Sequence, residues 1–284
     1  MTDVNLRAAI TVATERLALA GVPSPRHDAE ALAAHILGIE RKDLFTRDTV
    51  DESAYDALVN RRAAREPLQH LTSKAAFRNI ELAVGPGVFV PRPETEVTAG
   101  AAIDHARVHD RPLVVDLYAG SGAIALAIAD EVPGARIHAV ESDDAAFAWL
   151  RRNAVGSTVS IHHVDVDGCL LALSGTVDVI VANPPYIPVG GRIRDPEVAA
   201  HDPAAALWSG PDGLDAMRVL EANAARLLRP GGTVVAEHAD MQAVAAPAVF
   251  ASTARWRDVA DHADLTGRPR YVTARRVGDA GSSG

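Results

Sequence analysis

Leu113-Val114-Val115-Asp116-Leu117-Tyr118-Ala119-Gly120-Ser121-Gly122-Ala123-Ile124-Ala125 is the stretch that decides the fold. A run that is apolar except for Asp116 enters a glycine-bearing turn and leaves it as a helix, predicted over Ala123 to Ala129. Strand, tight turn and helix in that order form half of a βαβ unit. Glycines at the turn let the backbone approach a ligand, and the helix N-terminus beyond them attracts a carboxylate or phosphate. The plain alternative is a tight strand-to-helix connection with no ligand. Gly120-Ser121-Gly122-Ala123-Ile124-Ala125 also has the G-x-G-x-x-A spacing of dinucleotide sites, so the loop alone leaves NAD and other adenosine cofactors open.

Downstream, strand and helix patterns alternate. A strand is predicted over Arg136–Val140, a helix over Asp144–Asn153, and strands near Val159–Val164 and Val177–Ala182. A helix from about Leu214 to Leu228 stops at Pro230-Gly231-Gly232, before a strand at Thr233–Glu237. Such alternation implies parallel strands with crossover helices, an α/β doubly wound sheet that binds ligands at its strand carboxyl ends. Trp256–Ala260 and Tyr271–Arg275 are expected to close the sheet as a hairpin.

Upstream the period changes. Leu6, Ile10, Ala13 and Leu17 fall at helical spacing, a second helix is expected over His27–Leu37 with Gly38 as its stop, and a third over Glu52–Arg65. With no alternation among them, residues 1 to about 75 read as a small all-helical domain. Ile80, Leu82 and Val84 then alternate, Gly85-Pro86-Gly87 supplies a turn, and Val88-Phe89-Val90 returns, which predicts a β-hairpin linker. The expected organisation is therefore a helical domain over 1–75, a linker over 76–92, the α/β domain over 93–277 and a flexible tail over 278–284.

Composition narrows the function classes. Among 284 residues, 37 acids against 28 Lys and Arg give a formal charge of −9, which argues against non-specific binding to nucleic acid backbone. The lone Cys169 forms no intramolecular disulfide, which fits a reducing, cytoplasmic setting. Asp3 stands where a secretion signal would be basic, and no apolar run approaches the roughly 18 residues of a membrane span. Eleven His residues lack the spacing to Cys or Glu that a metal site needs, so no metal is expected.

Three further places carry chemistry. Glu141 ends the second strand, 19 residues beyond Gly122, where an acid accepts hydrogen bonds from both ribose hydroxyls of an adenosyl group. An acid there also suits the start of a helix. Asp165, past the third strand, is placed to face an adenine, although Asp167 follows it in an acidic loop. Asn183-Pro184-Pro185-Tyr186 directly follows the apolar strand Val177–Ala182. Two prolines remove two backbone donors and stiffen the turn, so an Asn carbonyl and a main-chain carbonyl stand ready to accept both protons of an NH₂ group. A neighbouring Tyr ring stacks on planar amides or bases.

Asn183-Pro184-Pro185-Tyr186 resembles the signature of S-adenosylmethionine enzymes that methylate planar nitrogens. Phe89-Val90-Pro91-Arg92-Pro93-Glu94-Thr95-Glu96 narrows the resemblance to the peptide-chain-release-factor glutamine N5-methyltransferases. His201-Asp202-Pro203, Leu207 to Leu214 and Leu228 to Gly232 resemble that family too, as does the helical N-terminal region. The resemblance implies a Rossmann-like, seven-stranded class I methyltransferase sheet, with S-adenosylmethionine as cofactor and the Gly-Gly-Gln loop of a release factor as substrate. It assigns Tyr118, Ala119, Gly120, Ser121 and Gly122 to the methionine end of the cofactor, Glu141 to the ribose, and Asp165 with Val166 to the adenine. Asn183 touches cofactor and substrate, Pro184 and Tyr186 share the catalytic turn, and Pro185, Arg92 and Glu94 complete the substrate side. It further implies a cytoplasmic monomer with no nucleic acid or membrane partner, whose helical domain docks the protein substrate. This chain departs from the family at Tyr118, where relatives commonly have Gly, at Ala119, where a hydroxyl residue is frequent, and at Val166, where many carry an aromatic. The same chemistry on a ribosomal-protein glutamine or a DNA adenine stands as an alternative. An NAD-dependent oxidoreductase is the alternative from another class, and it leaves Asn183-Pro184-Pro185-Tyr186 without a role.

Overall fold

The computed structural model describes residues 2–278 and divides the chain into two compact units. The first comprises the chain up to Lys74, Val84–Pro86 and Ile193–Asp202. The second comprises Ala75–Ala83, Gly87–Arg192 and the chain from Pro203 on. Of the tail expected over 278–284, all but Gly278 lies outside the described residues. No helix among the described residues is long and apolar enough to cross a membrane.

The first unit is built on three amphipathic helices. Leu6–Leu19 buries Leu6, Ile10, Ala13 and Leu17, and the Asn5 side chain accepts from the Ala8 N–H at 3.0 Å to cap it. Pro25–Leu37 begins two residues earlier than the periodicity indicates, because Pro25 suits a first helical turn, and it stops at Gly38 with φ +63°. Glu52–Ala63 is capped by Asp51, which accepts from the Ala54 N–H at 2.7 Å. A short antiparallel ladder pairs β1 (Asp3–Asn5) with β2 (Thr49–Asp51), which the all-helical expectation left out. Three residues per strand are too few to display a period of two.

The helix Pro196–His201 also belongs to this unit. Arg62, 4% exposed, donates from Nε to Asp28 Oδ2 and from Nη2 to Glu197 Oε1, each at 2.8 Å, and Arg65 Nε reaches Glu197 Oε1 at 3.0 Å. Paired in this way, the buried guanidinium escapes the desolvation cost of an isolated charge.

The second unit opens with a two-stranded sheet, β3 (Lys74–Phe77) and β4 (Ile80–Ala83). The reversal therefore falls at Arg78-Asn79, one strand upstream of the turn expected at Gly85-Pro86-Gly87, and Val88–Val90 is not a strand. Ala75 and Phe77 are the buried alternating pair, and alanine is too small to announce itself as a core residue in the sequence. Arg78 fixes the turn, with Nη2 donating to Glu131 Oε2 at 2.9 Å and Nη1 to the Glu96 carbonyl at 3.0 Å.

Seven strands form the main sheet: β5 (Leu113–Leu117), β6 (Arg136–Glu141), β7 (Ser160–His163), β8 (Val177–Ala182), β9 (Leu228–Glu237), β10 (Trp256–Ala263) and β11 (Pro269–Arg276). Their order is β10-β11-β9-β8-β5-β6-β7, parallel except for β11, which runs antiparallel to both neighbours. All five residues of β5 are buried, as a central parallel strand with both faces covered requires. The register then sets the site. Leu117 pairs with Val140 and with Ala182, and Ala182 pairs with Ala236. The next residues along these strands, Tyr118, Glu141, Asn183 and Glu237, thus leave the sheet at one carboxyl edge, where the chain order reverses across β5 and β8.

Asp116 lies fully buried just before that edge. Its Oδ2 accepts from the Ala125 N–H at 3.0 Å, while Oδ1 has no hydrogen-bond partner among the described residues. Burial, only partly offset by the Ala125 N–H, pushes its carboxyl up to about 8. The folded protein then holds a proton that the unfolded chain releases above about pH 4, so this group's contribution to stability is lost as pH rises toward 8. Asp116→Asn, which keeps the acceptor and cannot ionise, is expected to remove up to about 1.4 kcal/mol per pH unit from the slope of unfolding free energy between pH 6 and 8. Urea unfolding at several pH values measures it.

Candidate active site

The glycine loop reads as a chain of left-handed turns. Tyr118, Gly120 and Gly122 have φ of +64°, +56° and +88°. The backbone at Tyr118 is left-handed, a geometry that costs an L-residue about 1–2 kcal/mol. Tyr118 offsets that cost by packing its ring against the core and donating its hydroxyl to the Ala216 carbonyl at 3.3 Å. Burial raises the Tyr118 phenol, so it stays protonated. At Gly122 a Cβ would come within 2.7 Å of Leu150 Cδ1 on the helix Asp144–Asn153, besides the strain of its φ. Gly122→Ala is expected to lower stability by about 2 kcal/mol, read as a fall in the urea midpoint with an unchanged slope.

Glu141 holds this loop in place. Its Oε2 accepts from the Gly120 N–H at 2.8 Å, and Oε1 accepts from the Ser142 and Asp143 N–H groups at 2.8 Å each. Asp165 is exposed and accepts from the Asp167 N–H at 2.8 Å, while Val166 is buried in the cluster against which Tyr118 packs.

A cleft with about 370 Å³ of empty space, part of it open solvent, joins the loop to the end of β8. Tyr118, Ala119, Gly120, Ser121 and Asn183 line it, as the sequence leads one to expect. Phe89, Pro91, Thr95, Ala123 and Ile124 line it as well. Of these, Thr95 sits in the first turn of the helix Pro93–Arg107, and its signal was available in Pro93, a proline suited to open a helix. Gly122, Glu141, Asp165, Val166, Pro184, Pro185, Tyr186, Arg92 and Glu94 are not among the cleft-lining residues. Arg92 instead caps the Pro93–Arg107 helix and lays its guanidinium 5.1 Å from the centre of the Phe89 ring.

At the turn after β8, the Asn183 Nδ2 donates to Thr95 Oγ1 at 3.3 Å. Gln242, 5% exposed and absent from the sequence reasoning, donates from Nε2 to the Tyr186 carbonyl at 3.1 Å and to that of Gly213 at 3.2 Å. Ile187 beyond it accepts from the Ser209 N–H and donates to the Leu207 carbonyl, so the exit of the turn is fixed by main-chain bonds. Burial raises the Tyr186 phenol, and the Glu237 carboxyl adds to the shift. No group of three or more His, Cys, Asp or Glu among the described residues has the geometry to hold a metal ion.

Residues 8–72 match the family model described as the PrmC N-terminal domain, and residues 79–195 match that of the methyltransferase small domain. A release factor glutamine methyltransferase of Streptomyces coelicolor is 54% identical over 276 residues, covering 96% of this chain and 98% of its own. That of Mycolicibacterium smegmatis is 48% identical over 278 residues, with coverages of 96% and 98%. A T. thermophilus 16S rRNA methyltransferase, solved with AdoMet and guanosine, shares the fold at a TM-score of 0.51 and 22% identity, over 72% of this chain and 49% of that one. With relatives 54% and 48% identical and matched across nearly their whole length, the chain belongs to the release factor glutamine methyltransferase family.

Proposed function

We propose that this protein transfers the methyl group of S-adenosylmethionine to the side-chain amide nitrogen of the glutamine in the Gly-Gly-Gln motif of peptide chain release factors. The observation that carries the reading is Asn183, which lines one cleft with the glycine loop and heads a turn of two prolines. The names of the Streptomyces and Mycolicibacterium relatives support the acceptor. Residues at the loop fit the cofactor. A Cβ at Gly120 would meet nothing within 4 Å, so the ligand face of the loop is open, and the Glu141 carboxylate stands beside it. In this reading Tyr118 to Gly122 hold the methionine end, Glu141 the ribose, and Asp165 with Val166 the adenine.

When bound, S-adenosylmethionine supplies a methyl group activated by its sulfonium. The protein's task is to orient a poor nucleophile, because the lone pair of an amide nitrogen is delocalised into its carbonyl. Asn183 Oδ1 and the Pro184 main-chain carbonyl would accept the two N–H protons and so orient the nitrogen for transfer. Both acceptors favour the positive charge that builds on nitrogen during transfer. The protonated N-methyl amide is strongly acidic and gives its proton to water, so no side chain is needed as a general base. The Tyr186 ring stacks on the acceptor amide next to Pro185, and Arg92 with Glu94 flanks the path of the peptide. The enzyme works as a cytoplasmic monomer without nucleic acid or membrane, and the single Cys169 supports that compartment.

The test is mass spectrometry of a purified release factor incubated with the protein and S-adenosylmethionine. One added methyl mapping to the glutamine of Gly-Gly-Gln is the expected result. Cofactor binding by calorimetry with no methylated release factor would refute the acceptor and turn the search to ribosomal proteins.

A further inference from the structure

The carboxyl edge of the sheet carries one buried acid that the mechanism does not use. Glu237 follows Ala236, which pairs with Ala182, so it leaves β9 beside Asn183 at the end of β8. It is 1% exposed, and its two oxygens face two threonines of the Pro93–Arg107 helix: Thr95 Oγ1 donates to Oε1 at 3.3 Å and Thr98 Oγ1 to Oε2 at 3.2 Å. Thr95 and Thr98 are 4% and 0% exposed. The same Thr95 hydroxyl accepts from Asn183 Nδ2 at 3.3 Å.

We propose that Glu237 and Thr95 are positioning residues that fix which face of the Asn183 amide meets the acceptor nitrogen. This rests on the role given to Asn183 above. A hydroxyl has one proton and two lone pairs, and a carboxylate only accepts. While Glu237 is ionised, the Thr95 proton is committed to it, so Thr95 offers Asn183 nothing but a lone pair. Only the NH₂ side of the Asn183 amide satisfies that lone pair, which leaves Oδ1 for the substrate. Protonated on Oε1, Glu237 donates to Thr95 instead, while Oε2 goes on accepting from Thr98. The Thr95 proton is then free to bond Asn183 Oδ1, and the amide turns its NH₂ toward the substrate, where it repels the N–H groups it should accept.

The surroundings bring this switch into the working range. Burial raises the Glu237 carboxyl to about 7, with Thr95, Arg270 and Thr98 pulling it down and Glu94 pushing it up. Arg270 on β11 faces both Glu237 and the Tyr186 phenol, which is itself held protonated by burial. The ordering therefore favours turnover on the alkaline side of about pH 7.

The test measures kcat, KM for a purified release factor and the cofactor dissociation constant for the full chain and its variants, from pH 6 to 8.5. The wild type is expected to lose kcat on the acid side with the cofactor constant unchanged. Thr95→Val, which keeps the shape and removes the hydroxyl, is expected to lower kcat about tenfold or more with both binding constants within about twofold, and Thr95→Ser to restore it. Glu237→Gln is expected to flatten the acid limb of kcat. Thr95→Val with wild-type kcat and pH profile, beside an inactive Asn183→Ala, overturns the relay and leaves the role of Asn183 standing. An active Asn183→Ala overturns that role itself. Should Thr95→Val fail to bind cofactor as the wild type does, Glu237→Gln decides: a retained acid limb overturns the relay and a flat profile supports it.

Discussion

Asn183→Ala is expected to lower kcat for release factor methylation by about a thousandfold or more, with the S-adenosylmethionine dissociation constant within a few-fold of wild type. The size follows from what one side chain does in the transition state. In the proposed reading the acceptor nitrogen has two N–H groups and two partners, the Asn183 and Pro184 carbonyls, so removing the first lets the NH₂ rotate about the bond it keeps. Removing a single preorganised partner of a developing charge costs about 10²–10³ in kcat, and the lost alignment with the methyl adds to it. Binding of the cofactor changes little because the loop Tyr118–Gly122 and Glu141 are untouched, and Asn183 is one of ten residues that line the cleft. Quantitative mass spectrometry at saturating cofactor reads the first quantity and calorimetry the second. A rate within tenfold of wild type would show that the Pro184 carbonyl alone orients the amide.

How far the sequence revealed this site depends on how local each signal is. The strand Val177–Ala182 and the helix Asp144–Asn153 are placed by the sequence as they stand, because each is a single uninterrupted pattern with a clear stop or cap. The turn proposed as catalytic is legible for the same reason: Asn183 to Tyr186 are adjacent in the chain. The spacing Gly120 to Ala125 fits a dinucleotide equally well. What separates the readings in the sequence is Asn183-Pro184-Pro185-Tyr186, and the register adds that Tyr118, Glu141 and Asn183 leave neighbouring strand ends. The hairpin moved by one strand because Gly85-Pro86-Gly87 is a strong turn signal and Arg78-Asn79 is a weak one, yet Arg78 is fixed by Glu131, 53 positions away. The contact between Thr95 and Glu237 spans 142 positions. No periodicity records a pairing of that range. Likewise, Pro196–His201 follows the catalytic turn in the chain, but the Arg62 that holds it lies 135 positions before Glu197.

Glu141→Ala is expected to raise the S-adenosylmethionine dissociation constant by about 10²-fold, while kcat at saturating cofactor stays within a few-fold. The structure changes the reason for that expectation. Sequence position proposes Glu141 as a ribose acceptor, yet its carboxylate already takes three main-chain N–H groups, from Gly120, Ser142 and Asp143. A carboxylate has about four lone-pair sites, so the ribose hydroxyls compete for what remains or displace one of these amides. The residue braces a loop in which Tyr118, Gly120 and Gly122 all hold left-handed backbone, and in the proposed reading it meets the ribose as well. Hydrogen bonds to a charged group contribute about 1.5–3 kcal/mol each, and losing one such bond to ligand accounts for a factor of roughly 10 to 150. Glu141→Gln grades the two functions. Its single carbonyl oxygen keeps the Ser142 and Asp143 N–H groups while its NH₂ faces the Gly120 N–H, so melting without cofactor should fall, but by less than in Glu141→Ala, and affinity falls as well. If Glu141→Gln and Glu141→Ala melted alike, both well below wild type, and bound cofactor normally, Glu141 would be a loop brace alone and the ribose would be held elsewhere on the cleft.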